Sequence, residues 1–148
     1  MSDDVTAQNR VREAVEILAA LGFPRAQQNE RSALTLLALL DLTPATPWAQ
    51  ATNPLRGVTP IMDYVKEHYG KAYAPNTRET FRRQTLHQFV AAGLVLHNPD
   101  DPYRPTNSAR NAYQIEQSAL EMLRTYGTDD WPQNLHAYLA SRQTLAER

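Results

Sequence analysis

The sequence predicts a mainly α fold: a winged helix-turn-helix with a small β-hairpin wing and extra flanking helices. Two observations carry that prediction. A helix opened by Thr59-Pro60 and stopped by Gly70 is followed, after a link of residues 71–75, by a helix with its own start signal at Asn76. Two short β-type runs then flank a proline-bearing stretch, giving the order helix, tight link, helix, strand, long hairpin, strand. The link is slightly longer than the usual three or four residues.

Composition sets the frame for this architecture. The chain has 148 residues, a formal net charge of −1 and no cysteine, with a pI near 6.4. That length supports one domain, in which folding buries roughly 68–70% of the unfolded surface. Apolar residues are 42% and charged residues 21%, so disordered and fibrous classes are excluded. No apolar run is longer than that of residues 36–40, against the roughly 20 residues of a membrane span. The N-terminal MSDDVTAQNR is acidic and polar, unlike a secretory signal, and the expected location is the cytoplasm. Without cysteine there is no disulfide framework and no thiolate zinc site.

The elements follow in order. Val11, Val15, Leu18 and Leu21 keep helical spacing and Gly22 with Pro24 ends the run, so residues 5–21 read as the first helix. Asn29 can cap a second helix over 30–41, whose Leu34, Leu37, Ala38 and Leu40 make it apolar nearly all round and central to the core. Residues 42–58 carry Pro44, Pro47, Pro54 and Gly57 and cannot be helical; a loop of that length needs pinning, for which Trp48 and Leu55 are the candidates. Thr59 then serves as cap and Pro60 as first helical residue of a helix whose stripe is Ile61, Met62, Tyr64, Val65 and Tyr69. Asn76-Thr-Arg-Glu79 has the form of a capping box opening a helix to Ala92, closed by Gly93. Residues 94–96 and 112–115 read as strands around the loop 98–111, which contains Pro99, Pro102 and Pro105. Helices over 116–126 and 131–147 finish the chain, split by Gly127 and the cap candidates Thr128 and Asp129. The organisation is therefore an N-terminal helix over 1–28, the winged helix-turn-helix over 29–127 and a C-terminal helix over 128–148.

Near-neutrality conceals an uneven distribution of charge. Residues 1–70 carry −2, residues 71–115 carry +3 and residues 116–148 carry −2. The excess of positive charge thus falls on the predicted recognition helix and wing, where it favours phosphate contact whatever the total. At 100° per residue, Phe81, Thr85, Leu86 and Phe89 share one side of the helix from Asn76, and Thr80, Arg83, Gln84 and His87 the other. That exposed set suits base-edge reading in a major groove, arginine pairing with guanine and glutamine with adenine. Arg78 and Arg82 lie nearer the buried side, placed to reach phosphates or to pair with Asp63 or Glu67. Lys71, Asn76, Thr77, Arg78, Arg82, Arg104 and Arg110 form the candidate phosphate set. Five cationic contacts among them predict a slope of roughly −4 to −5 in log K against log[salt]. The plainer reading of any such face is a solvated helix surface.

Catalytic patterns are absent. His68, His87, His97 and His136 have no metal-ligand spacing, no glycine-rich phosphate loop occurs, and no serine sits in a nucleophile elbow. The acidic pairs at 3–4, 100–101 and 129–130 suit a tail, a loop and a helix start. Only two lysines, Lys66 and Lys71, are present, and neither follows acids in the spacing a Mg²⁺-dependent nuclease needs. No catalytic residue, metal ligand or cofactor is therefore assigned within the chain.

The strings NERSALTLLALLDL, ATNPLRGVTPIMDYV, HYGKAYAPNTRETFRRQTLHQFVAAGLV and NPDDPYRPTNSARNAYQIE resemble the N-terminal region of the BsuBI/PstI-type restriction endonucleases. The resemblance covers about residues 29–127. It implies the helix-turn-helix part of a type II enzyme that cuts double-stranded DNA at a short palindrome using Mg²⁺, beside a partner methylase. It further implies a C-terminal nuclease domain of the PD-(D/E)xK class in the same protein, toward which the last helical run, ASRQTLAER, leads. Expected partners are double-stranded DNA, that nuclease domain and a second copy in a homodimer; no membrane partner is expected. Two other readings stay open on the residues alone: a winged-helix interaction or dimerisation module, and a self-contained winged-helix transcription regulator. Within the restriction-enzyme reading, the domain either reads bases or only clamps the backbone.

Overall fold

Residues 32–40 are buried without a break, as their nearly uniform apolarity predicts, and the rest of the molecule is arranged around them. The computed structural model describes residues 2–146; residue 1 and residues 147 and 148, the first of which ends the helix predicted over 131–147, lie outside them. Helix α1 (Ser2–Ala20) and helix α2 (Glu30–Leu39) pack together, with Ala14, Ile17 and Leu18 buried between them and the rest of the core. Asn29 caps α2 as expected, its side chain accepting from the Ser32 amide at 2.8 Å.

The long loop after α2 is pinned differently from the expectation. Trp48 is buried, lies 5.2 Å from the Tyr126 ring, and its indole N–H donates to Glu13 at 3.2 Å. Leu55, however, is 40% exposed. Its neighbour Arg56 does the holding. Its backbone exchanges two hydrogen bonds with Tyr113 (2.9 and 2.8 Å), and its guanidinium donates to the Ala38 carbonyl and to Asp41. The same guanidinium stacks 4.6 Å from the Tyr64 ring. One arginine thereby ties the loop to the end of α2, to a buried tyrosine and to the edge of the sheet.

Helix α3 (Val58–Tyr69) begins one residue before the predicted cap: Gly57 occupies the cap position and no side chain caps the helix, so Thr59 lies inside the first turn. Pro60 fits there because the first amides of a helix have no intrahelical acceptor. Gly70 ends α3 in the left-handed conformation at φ 68.

Helix α4 spans residues 75–91 in four stretches: a 3₁₀ turn at Pro75–Thr77, an α turn at Arg78–Thr80, a wide π turn at Phe81–Leu86 and a final α segment at His87–Ala91. The capping box does not form, and no side chain caps the start of this helix. The π turn lets Phe81 and Leu86, five residues apart, both face the core with Thr85 and Phe89. Arg31 on α2 donates to the Thr85 hydroxyl at 3.0 Å, Phe89 meets Phe23 edge-on at 5.4 Å, and Phe81 meets Tyr73 at 5.0 Å. These contacts fix the rotation of α4 and thus which face it leaves outside.

Strands β1 (Val95–His97) and β2 (Tyr113–Ile115) pair antiparallel, Val95 opposite Ile115 and His97 opposite Tyr113. Both are three residues long, within one residue of the predicted runs. Helix α5 (Gln117–Leu123) and helix α6 (Trp131–Ala146) pack against each other at the far end. The winged helix-turn-helix with flanking helices predicted from the sequence is the observed architecture. Among the described residues, no helix is long and apolar enough to cross a membrane.

Candidate nucleic-acid interface

The loop between β1 and β2 is built on Asn98, which turns the chain at φ 51 while only 2% exposed. Its carbonyl oxygen accepts from the Ala112 amide at 2.8 Å, and its amide nitrogen donates to Asn111 Oδ1 at 2.8 Å. Asn111 in turn donates to the Thr106 carbonyl at 2.7 Å. Arg104 closes the loop from inside: it donates to Asn98 Oδ1, the Arg110 carbonyl and Asp100, at 2.9, 2.8 and 2.7 Å. Its side chain is only 13% exposed. The Arg104 hydrogen bond holds the Asp100 carboxyl below its ordinary range, and the same bond raises the arginine. Arg104 is thus engaged in the wing's own scaffold and not displayed as a free cation, because Asp100, Asn98 and the Arg110 carbonyl hold its Nη1 and Nη2 groups.

This rigid wing faces the start of α4 across a groove of about 720 Å³. Gly57 to Pro60 form one end of it, Asn76, Arg78, Glu79 and Arg82 one wall, and Thr106 to Ala109 the other. Hydroxyl, amide, guanidinium and carboxylate groups thus share its lining with apolar residues such as Val58, Pro60 and Pro75. A Cβ added to Gly57 would lie 2.9 Å from the Asn111 carbonyl, so the wing root and the start of α3 sit too close for any side chain. The pair Arg82–Glu79 replaces the predicted pairing with Asp63 or Glu67: Arg82 donates to both Glu79 oxygens, at 2.6 and 3.1 Å. The i,i+3 spacing on one helix brings Glu79 within reach before either acid of α3. Arg78 is exposed, and its side chain has no hydrogen-bond or ion-pair partner among the described residues.

Beyond the groove, α4 presents Arg83, Gln84 and His87 fully to the outside, with Thr80 partly covered. These are the four residues that the helical wheel places opposite the core, and the π turn does not displace them. Arg83 is 74% exposed on its side chain, with its Nε 3.8 Å from Glu79. Lys71 lies outside the groove and pairs with Glu30 at 3.0 Å, a hydrogen bond that raises its pKa. Thr77 is half-buried beside Asn76, and Arg110 is exposed on the wing. Sequence reasoning missed Thr59, Thr106, Asn107 and Ser108 as groove residues and gave Glu79 only a capping role. The polar string Thr106-Asn-Ser108 was the available signal, but its partner wall becomes visible only once the wing folds back.

Among the described residues, no three His, Asp or Glu side chains gather where a metal ion would be held. The Mg²⁺ implied by the family resemblance thus has no seat on them.

The comparisons with known proteins agree with the fold. Residues 8–147 match the family model described as the BsuBI/PstI restriction endonuclease HTH domain, beyond both ends of the resemblance over 29–127. The chain is 54% identical over 140 residues to the type II restriction enzyme BsuBI of Bacillus subtilis, covering 95% of this chain and 44% of that protein. It is 38% identical over 136 residues to the type II restriction enzyme AplI of Arthrospira platensis, covering 92% of this chain and 42% of that one. The solved structure of the SdaI restriction endonuclease superimposes with a TM-score of 0.84 at 40% identity, over 88% of this chain and 41% of that one. The chain spans less than half the length of each of these proteins. With a specific sequence match over nearly its whole length and the same architecture, the chain belongs to the BsuBI/PstI restriction endonuclease HTH domain family.

Proposed function

We propose that this chain binds double-stranded DNA as the winged-helix part of a type II restriction endonuclease that cuts at a short palindrome. The cutting itself, with its Mg²⁺, is assigned to a nuclease domain outside these residues. The observation that carries the reading is the outer face of α4, where Arg83, Gln84 and His87 stand clear of the core, with Thr80 partly covered, beside the groove to the wing. A helix of that composition fits a major groove, with Arg83 suited to guanine O6 and N7 and Gln84 to adenine N6 and N7. Asn76, Thr77, Arg78 and Arg82 at the α4 start, with Arg110 on the wing, supply the backbone contacts. Arg104 is left out of that set because its Nη1 and Nη2 groups are held by the wing and its side chain is mostly buried. Two copies related by a two-fold axis would meet the two halves of a palindrome, and such a protein would act in the cytoplasm.

Fluorescence anisotropy with short labelled duplexes tests this. Duplexes enriched from a random pool by the chain should bind more tightly than unselected ones. Arg83→Ala and Gln84→Ala should each cost about 1–3 kcal/mol on the enriched duplex alone. A loss equal on both kinds of duplex would move the residue to the phosphate set. That outcome would favour a second reading, a backbone clamp, for which the groove with Asn76, Arg78 and Arg82 opposite Thr106 and Ser108 is the supporting observation. No binding to any duplex at low salt would overturn both and leave the interaction-module reading.

A further inference from the structure

One acidic side chain stands inside the cationic stretch of α4, and DNA binding as argued so far gives it no task. Glu79 receives the guanidinium of Arg82 on both of its oxygens: Nε donates to Oε1 at 2.6 Å and Nη2 to Oε2 at 3.1 Å, and Nη2 also lies close against Oε1. Charge-assisted contacts of this kind hold the guanidinium against its own helix. Arg83 Nε stands 3.8 Å from the same Oε1. The side chains of Glu79 and Arg82 are 51% and 42% exposed, and both line the groove between α4 and the wing. An exposed i,i+3 pair adds little to the stability of a helix. Fold stability alone therefore gives little reason to place a carboxylate where a polyanion is to dock.

The electrostatic consequence is larger. Arg82 is compensated before any DNA arrives. A phosphate entering the groove must either detach Arg82 from Glu79 or approach a carboxylate, and both oppose contact with a backbone that every duplex offers. Only a duplex that gains additional contacts along α4 offsets that penalty. We propose that Glu79 is a specificity-determining residue, which holds Arg82 back from indiscriminate phosphate contact and so lowers affinity for unselected DNA more than for the preferred site. This inference rests on the DNA-binding reading above and adds to it a role for a residue that makes no favourable phosphate contact.

The test compares the wild-type chain with Glu79→Gln, Arg82→Ala and the double variant, on a random-sequence 20-base-pair duplex and on a duplex enriched by the wild type. Glutamine keeps the size of the side chain and removes its charge. One extra phosphate contact steepens the salt slope by about 0.9, equivalent to roughly fivefold to tenfold in affinity near 0.1 M salt. Glu79→Gln should therefore bind the random duplex about fivefold to tenfold more tightly, with a slope steeper by about 1. Its gain on the enriched duplex should be smaller, so the ratio between the two falls. In the Arg82→Ala background the same substitution should change random-duplex binding by at most about twofold, because the restrained cation is gone. A purely structural ion pair would move the melting temperature and leave the salt slope where it was. An unchanged slope and affinity in Glu79→Gln, with wild-type binding intact, overturns the role of Glu79 while the DNA-binding reading stands. An equal gain with and without Arg82 overturns the route through Arg82. Failure of the wild type to bind any duplex overturns the role together with the reading beneath it.

Discussion

Asn98 and Arg104 show how one residue can be legible in type and misleading in use. An arginine in a loop beside a basic helix suggests a phosphate contact; here Asp100, Asn98 Oδ1 and the Arg110 carbonyl use its donors. The pairing of Arg104 with Asp100 four residues earlier is a helical spacing, but it is made in a loop, where spacing has no fixed geometric meaning. Asn98 is decisive because it alone supplies a left-handed turn at φ 51 together with a buried amide. Asn98→Gly keeps the backbone conformation and deletes the amide, so its effect isolates the hydrogen bonds. It should lower the stability measured by urea unfolding by about 1–3 kcal/mol. Acid acts on the same scaffold. Because hydrogen bonding from Arg104 lowers the Asp100 pKa in the folded chain, its contribution is present above the ordinary carboxylate pKa and fades as pH falls through the lowered value. Hydrogen exchange at the Ala112 amide, which donates to Asn98, should therefore show wing protection unchanged from neutrality to about pH 4 and declining below it.

At the level of elements, two similar-looking helix starts separate. Asn29 has extended backbone angles and its side chain accepts from the Ser32 amide, so it caps α2. Asn76 is already inside a 3₁₀ turn entered through Pro75, with Ala74 in the extended cap position, so its side chain has no free amide to meet. Asn29→Ala should cost about 0.5–2 kcal/mol in thermal or urea unfolding, whereas Asn76→Ala should stay within about 0.5 kcal/mol. Equal losses would restore the capping box to α4. Side-chain periodicity was the reliable signal: Phe81, Thr85, Leu86 and Phe89 are buried as the wheel places them, even across a π turn. Backbone-mediated contacts had no such signal. The two hydrogen bonds between Arg56 and Tyr113 dock the long loop on the sheet edge, and main-chain bonds leave no residue pattern to read. The groove was hidden for the same reason, since it exists only because Gly57 lets the start of α3 approach the Asn111 carbonyl.

For the whole molecule, the distribution of charge along the chain and its distribution in space differ, and the difference has a measurable sign. The +3 of residues 71–115 localises positive charge correctly on α4 and the wing. Folding then compensates much of it: Lys71 by Glu30, Arg82 by Glu79 and Arg104 by Asp100. Glu30 belongs to α2, forty-one positions before Lys71, so a count by segment could not include it. The cations left outside close pairs in this region are Arg78, Arg83 and Arg110, with Arg83 still 3.8 Å from Glu79. Counterion release counts phosphates actually neutralised, at about −0.9 in slope for each. Five contacts give roughly −4 to −5, and three give about −2.7. The salt dependence of random-duplex binding by this chain should therefore lie near −2 to −3. Arg78→Ala or Arg110→Ala should each make it shallower by about 1, while Lys71→Ala leaves it almost unchanged. A measured slope of −4 to −5 would mean that DNA recruits the paired cations by breaking their ion pairs, and Lys71→Ala would then make the slope shallower as well.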